Sequence, residues 1–397
     1  MTEINILATT DVHGFIEENA GSSALAISKI KDQYSNALLI DNGDFFIGNP
    51  LTSYFSFQKN VSPLVDFAND CHYDIMAPGN HDFDHGLSYL EQQVQNLKAD
   101  YLCCNVFKST DQLVFKPWII KEVADVKIGV IGVLTSGMSM ISDYKIMNGL
   151  VVKDALTELQ CNVKELRSKV DLLIVAYHGG IERDLATGRS TTYATGEDET
   201  YKLVSKISGI DGFICGHQHW INQGKVNNTA VIQCGYAGNC YGHLKFNMES
   251  GKPTEVTSKI VELAKLPSEQ KTYYDSKSYQ DWLKHPVDIS KLQVFLKQKF
   301  GRCNLGIFLK LKGNSNQELI DSFPVPYSVR IYHLNASEYS NFIQQEWTIK
   351  EENHQADATD FLVLTNSYEV PEYRLEEEFV HNIFDQYLFY LQQRLGD

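Results

Sequence analysis

Seven side chains in this sequence carry donors suited to a divalent cation: Asp11, His13, Asp44, Asn80, His178, His217 and His219. Each stands just beyond a short apolar run. Residues 4–10 lead into Asp11-Val12-His13-Gly14, residues 37–40 into Asp41-Asn42-Gly43-Asp44, and residues 74–77 into Pro78-Gly79-Asn80-His81-Asp82-Phe83-Asp84. Residues 172–177 lead into His178-Gly179-Gly180, and residues 212–215 into Gly216-His217-Gln218-His219. Taken alone, the turn at 79–84 has three readings: a capped surface turn, a metal site or an acid/base dyad. Gly, Asn and Asp dominate turns for backbone reasons alone, and a lone histidine is ordinarily a core residue. The recurrence of Asp and His at the other run ends decides for chemistry.

Four imidazoles with three carboxylate or amide side chains suit Mn, Fe, Zn or Co better than Ca. Asp11 and His13 are two apart, so in extended backbone they share one side and can reach one ion. His217 and His219 repeat that spacing. Seven donors exceed what one tetrahedral ion takes, so a pair roughly 3.5–4 Å apart sharing a bridging carboxylate is expected. Two such ions lower the pKa of a shared water, giving a hydroxide nucleophile.

The elements that must hold these donors alternate. The five runs read as strands buried on both faces, with helical patterns at 22–34, 61–71, 88–97, 152–170 and 199–208 between them. That alternation over residues 1–220 predicts an α/β domain with a largely parallel sheet, whose ligands gather beyond the carboxyl ends of its strands. Two more runs, 127–133 and 230–233, end without ligands and read as scaffold. From Gly251 the texture changes, with Lys252-Pro253 and Leu266-Pro267 as breakers. The expected organisation is a first domain over 1–265, a linker over 266–285 and a smaller α+β domain over 286–397. In the last, helices are expected at 292–300, 337–345 and 376–395, and strands at 305–311, 328–334 and 360–364.

The formal net charge is −15, from 35 basic and 50 acidic residues. An acidic chain without a basic stripe is a poor partner for a nucleic-acid polymer. No run approaches ~18 apolar residues, so no membrane partner is expected. The eight cysteines lack CxxC spacing and read as reduced thiols, mostly buried as small apolar groups. With no leader pattern ahead of residue 10, the expected location is cytoplasmic.

Asp11-Val12-His13, Gly43-Asp44, Gly79-Asn80-His81-Asp82, the His178 run end and Gly216-His217-Gln218-His219 together resemble the signature of the calcineurin-like metallophosphoesterases. The stretch Gly79-Asn80-His81-Asp82-Phe83-Asp84-His85-Gly86 is similar to the 5′-nucleotidase branch, which usually has Glu where Asp82 stands. Tyr177-His178-Gly179-Gly180-Ile181-Glu182 and Gly196-Glu197-Asp198-Glu199 look closer to its 2′,3′-cyclic-nucleotide phosphodiesterase/3′-nucleotidase members. The likeness covers about residues 1–245. It implies a four-layer α/β/β/α sandwich. It also implies two metal ions (Mn, Zn or Fe), with Asp11, His13 and His219 on one, Asn80, His178 and His217 on the other, and Asp44 bridging. His81 and Asp84 become a dyad that binds no metal: His81 steadies the transition state or protonates the leaving oxygen, and Asp84 sets its tautomer.

The second domain departs from that pattern. Residues 319–345 and Phe361-Leu362-Val363-Leu364-Thr365-Asn366-Ser367-Tyr368 still resemble the family's nucleoside-binding domain. The Gly-Gly-x-Arg loop near 305–312 and the Gly-Gly-Asp-Gly-Tyr loop after Tyr368 are missing. Tyr368, Phe361, Phe308, Arg302 and Arg330 are substitute candidates, and surface or core aromatics are the plainer reading of them. The expected activity is metal-dependent hydrolysis of a small-molecule phosphoester, a nucleotide first of all. The alternatives are a 2′,3′-cyclic-nucleotide phosphodiesterase, a nucleotide-sugar diphosphatase of broader range, or a metal- and nucleotide-binding protein without turnover.

Overall fold

The computed structural model describes residues 2–15, 27, 29–58, 61–138, 147, 149–192, 195–263, 273–300, 305–323, 329–352, 360–366, 374–379 and 387. The chain divides into two compact units, Met1–Tyr274 and Asp275–Asp397.

The strands of the first unit are β1 (Thr2–Thr9), β2 (Ala37–Asp41), β3 (Ile75–Met76), β4 (Asp100–Tyr101) and β5 (Val106–Lys108). They continue with β6 (Trp118–Val123), β7 (Val126–Leu134), β8 (Leu150–Val152), β9 (Leu172–His178) and β10 (Gly212–Cys215). Last come β11 (Ile221–Val226), β12 (Thr229–Cys234), β13 (Cys240–Glu249) and β14 (Lys252–Glu262). Among the described residues they build two six-stranded sheets, in the orders β14-β13-β1-β2-β3-β4 and β11-β12-β10-β9-β7-β6, and β5 pairs with β8. In the first sheet β1 to β4 run parallel, with Ile6 opposite Leu38. In the second, β12, β10, β9 and β7 run parallel. Antiparallel strands are added only outside these parallel centres. The chemistry-bearing run ends are therefore the carboxyl ends of β1, β2, β3, β9 and β10.

Those runs are apolar without alternation because both faces are covered. Ile6, Leu38 and Ile40 of the first sheet meet Ile128, Ile174, Ile214 and Ile232 of the second in one core, closed by Leu244 and Phe246 of β13. The alternate residues Ile131, Leu173, Val175 and Phe213 join a second core with the buried faces of α4 (Ala155–Leu166) and α5 (Thr200–Lys206). On the far side of the first sheet Leu7, Leu39 and Met76 are also buried. The connections there carry α1 (Pro50–Phe57), α2 (Pro63–Asp70) and α3 (Leu87–Val94). This is the α/β/β/α layering that the resemblance implied.

Several boundaries differ from the expectation. The change of texture at Gly251 is the tip of the β13–β14 hairpin, where Ser250 and Gly251 both have positive φ and Glu249 pairs with Lys252. Two such residues make the turn whose twist suits a hairpin. Pro253 is tolerated because β14 is an edge strand, and the register shifts opposite it. The helix expected over 152–170 is shorter, since β8 ends at Val152 and Asp154 caps α4 through the Thr157 amide. Of the helix expected over 22–34, Lys31–Gln33 is a single 3-10 turn, and most of the remainder lies outside the described residues.

The second unit opens with α6 (Ser276–Leu283), capped by Asp275, and continues with α7 (Ile289–Phe300). A mixed five-stranded sheet follows among the described residues, built from β15 (Leu305–Leu309), β16 (Val329–Asn335), β17 (Ile349–Glu351), β18 (Asp360–Thr365) and β19 (Arg374–Phe379). Residues 376–379 were expected to start a helix. They lie in β19 instead, because their backbone pairs antiparallel with β16, Val329 opposite Phe379. The rest of that expected helix falls outside the described residues, Tyr387 apart.

Candidate metal centre

The two sheets bring four of the histidines and both aspartates to one place. Among the described residues two groups of donors gather, Asp11 with His13 and His219, and Asp44 with His178 and His217, the donor atoms of each lying within 4.8 Å of one another. The groups interlock. Nε2 of His13 is 3.0 Å from Nε2 of His219 and 3.8 Å from the Asp44 carboxylate. Nε2 of His178 is 3.2 Å from Asp44 and 3.9 Å from Asp11. Asn80 lies between Gly79, packed against Asp44, and His81, whose backbone N–H donates to Asp44 at 2.8 Å.

The backbone that aims these donors is not the extended chain read from the spacing. Asp11, His13, Asp44, His217 and His219 all sit in the left-handed region, with φ of 52°, 50°, 53°, 73° and 61°. Asp11 and His13 reach one group through a tight turn past the strand end, and not through strand alternation, whereas His217 and His219 are divided between the two groups. Such a conformation costs a residue with a Cβ on the order of 1 kcal/mol or more. Five at one site mean that the surroundings impose it. Gly43 and Gly79 make part of that possible: a Cβ on Gly43 would overlap the Gly79 backbone, and one on Gly79 would overlap Asp44.

Hydrogen bonds fix the imidazoles. Nδ1 of His13 donates to the Ile47 carbonyl and Nδ1 of His178 to the Asn42 carbonyl, each at 2.7 Å, which leaves the Nε2 lone pairs facing the cluster. Asp11 accepts from the Thr10 hydroxyl and from the His217 backbone N–H. The Asn80 side-chain oxygen is buried and accepts no hydrogen bond among the described residues, an arrangement that a cation satisfies and a plain turn does not.

The electrostatics agree. Burial raises the Asp11 pKa, and it depresses His13 and His219, each to about 4. Burial opposes charge on His178 too, yet Asp44 and Asp11 outweigh it and lift that imidazole to about 10. For Asp44, the neighbouring His178 and His81 overcome burial and hold the carboxyl well below its usual range. The protein alone must thus recruit a proton to balance its buried carboxylates. A divalent cation does that better, and the donor set, the fixed tautomers and the orphaned Asn80 oxygen fit one in each group.

Beside the cluster, His81 donates through Nδ1 to Asp84 at 2.8 Å, and its ring lies 5.9 Å from that of His13. Burial pulls its pKa down, but Asp84 and Asp44 raise it to about 9, so the free-standing site holds an imidazolium at neutral pH.

Sequence reasoning missed three partners. Asp82 is fully buried and accepts from the backbone N–H groups of Asp44, Phe45, Phe46 and Gly79, lashing the β2 loop to the β3 turn. Asp82→Ala would leave four buried donors unpaired, so we expect a loss of ~3 kcal/mol or more in denaturant unfolding. A loss under ~1 kcal/mol would show that the loop holds itself. Tyr236 stacks on His219 with ring centroids 5.0 Å apart. Glu197 accepts from His217. None of the three is flagged by residue type, since Asp82 acts on backbone and the other two act across loops.

On the second unit, Phe308 and Phe361 follow the plainer reading, core aromatics, and not the nucleoside-clamp one. Both belong to its core, Phe361 stacked on Tyr339 at 4.1 Å and Phe308 against Phe342 and Trp347. Arg330 lies on β16 opposite Thr365 and Glu378. Tyr368 and Arg302 fall outside the described residues.

Comparison with known proteins bears on this site. Residues 4–220 match the family model described as calcineurin-like phosphoesterase. The chain is 28% identical over 294 residues to a 2′,3′-cyclic-nucleotide 2′-phosphodiesterase/3′-nucleotidase of Salmonella typhimurium, covering 63% of this chain and 44% of that protein. It is 26% identical over 291 residues to the trifunctional nucleotide phosphoesterase YfkN of Bacillus subtilis, covering 62% and 19%. The chain thus spans less than half the length of these curated relatives. A crystal structure of a candidate 5′-nucleotidase from Staphylococcus aureus, in complex with α-ketoglutarate, superposes with a TM-score of 0.73 at 21% identity, over 98% of this chain and 97% of that one. At that identity the likeness shows the fold.

Proposed function

The chain belongs to the calcineurin-like phosphoesterase family, and from that premise we propose that it is a two-metal hydrolase of phosphoesters whose substrates are nucleotides. The observation that carries this is the meeting of the two donor groups, Asp11 with His13 and His219 and Asp44 with His178 and His217, beside the His81–Asp84 pair. In this reading Asp11, His13 and His219 hold one ion, Asn80, His178 and His217 hold the other, and Asp44 serves both. Two divalent ions, Mn, Zn or Fe, would supply Lewis acidity, activating water and offsetting charge on the phosphoryl oxygens.

The remaining work falls to side chains. Nδ1 of His81 is committed to Asp84, so Nε2–H is the donor free to face a leaving-group oxygen. Asp84 fixes that tautomer, and Asp44 holds the His81 backbone in place. Ile47 and Asn42 keep His13 and His178 in the tautomers that present Nε2. Nucleotide preference rests on the kinship with nucleotidases and cyclic-nucleotide phosphodiesterases. Among the described residues no helix is long and apolar enough to cross a membrane, and a small soluble phosphoester remains the proposed partner.

Phosphate release from 5′-, 3′- and 2′,3′-cyclic nucleotides, with Mn²⁺ added, tests the substrate class. Turnover of at least one class well above a simple aryl phosphate is the expected result. Cleavage of aryl phosphate with every nucleotide untouched would overturn the nucleotide assignment and leave the phosphoesterase one.

A further inference from the structure

The segment Gly196-Glu197-Asp198-Glu199 has been given no role in the chemistry so far, yet it reaches the site from a loop. Oε1 of Glu197 lies 2.7 Å from Nε2 of His217. The next residue, Asp198, accepts from the Gln218 amide at 2.9 Å, and Gln218 in turn accepts from the Ile181 backbone N–H. Behind them the Glu197 carbonyl accepts from the Thr135 hydroxyl at 2.5 Å and from the Tyr177 hydroxyl at 3.3 Å. The loop is therefore anchored to the ends of β7 and β9 and clasps the turn that carries His217 and His219.

We propose that Glu197 is a positioning residue for His217: by accepting Nε2–H, it forces the other ring nitrogen, Nδ1, to be the lone-pair donor of the Asp44–His178 group. The need for such a partner follows from the local backbone. His13 and His178 have their Nδ1–H groups tied to carbonyls and present Nε2. His217 sits at φ 73°, where the chain turns back on itself, and its Nε2 is engaged by Glu197 on the loop, 2.7 Å away. Without an acceptor at Nε2 the neutral ring is free to place its proton on Nδ1, and an imidazole in that tautomer cannot ligate through Nδ1. Outer partners of this kind typically change metal affinity ~10–100-fold. Because Glu197 touches only one of the two groups, its removal should weaken one ion and spare the other.

This inference rests on the proposed two-metal reading, and its test separates the two. Metal-free protein is titrated with Mn²⁺ by calorimetry for the wild type, Glu197→Ala and Glu197→Gln, with thermal unfolding of the metal-free proteins alongside. The expected result is two binding steps in the wild type. In Glu197→Ala one step is weakened ~10–100-fold and the other unchanged, and in Glu197→Gln, which keeps an acceptor oxygen, affinity is restored to within about threefold. Equal weakening of both steps, no change in Glu197→Ala, or a Gln variant as weak as Ala would each overturn the role of Glu197 while leaving the proposed function intact. A wild type that takes up no ion would overturn the two-metal reading itself, and the inference with it.

Discussion

Asp44→Ala is expected to lose metal and activity together: the purified variant should hold markedly fewer ions per chain than the wild type, and kcat/KM on any accepted phosphoester should fall at least ~10³-fold. The size follows from the geometry. Asp44 lies 3.8 Å from His13 and 3.2 Å from His178, nearer to each than Asp11 at 3.9 Å, so it faces both donor groups. Metal-ion stabilisation of transition-state charge is worth several kcal/mol, and each ~1.4 kcal/mol is a factor of ten. Asp44→Asn separates charge from shape, since it keeps an acceptor for the His81 backbone N–H. If Asp44→Asn lost metal as badly as Asp44→Ala while both remained folded by circular dichroism, the charge would be the cause. Wild-type metal content in Asp44→Ala would contradict the shared role.

His81→Ala should separate what Asp44→Ala joins. Its kcat is expected to fall ~10²–10⁴-fold, the usual scale of general acid help, with metal content unchanged. The pH profile gives a second readout. A proton donor must be protonated to work, so activity carried by His81 is present below its pKa and lost as the pH rises through it. That pKa is about 9 in the metal-free site, raised by Asp84 and Asp44 against burial. Bound cations would offset the Asp44 contribution, so the basic limb of the wild-type profile should lie at or below about 9 and disappear in His81→Ala. Substrates with acidic leaving groups, such as nitrophenyl phosphates, need little proton donation and should lose less. Metal loss equal to that of Asp44→Ala would sink the assignment of His81 as a residue that binds no metal.

The parts of this protein that were legible in its sequence share a physical reason. Strands buried on both faces read as unbroken apolar runs, and the donors follow those runs directly, so the carboxyl ends of β1, β2, β3, β9 and β10 announced themselves. What stayed hidden depends on backbone conformation or on distant loops. Nothing in the types Asp and His signals φ near +50°, so the extended-backbone argument for Asp11 with His13 reached the right neighbours by the wrong geometry. Asp82 reads as one more turn acid until its four backbone donors are seen. Phe308 and Phe361 stayed open between a clamp and the plainer core reading, since an aromatic on a strand looks the same whether it lies against a ligand or against Tyr339 and Phe342. Pro253 suggested a break, whereas an edge strand accommodates it.

The central claim is that phosphoester hydrolysis here depends on two ions held by one cluster. The most direct test is to strip the protein with a chelator, add back Mn²⁺ or Zn²⁺ in measured equivalents, and follow bis-nitrophenyl phosphate cleavage against bound metal. The account predicts no turnover in the stripped protein and full activity only as the second equivalent binds. Turnover that survives complete metal removal, or that is complete with one ion per chain, would contradict it.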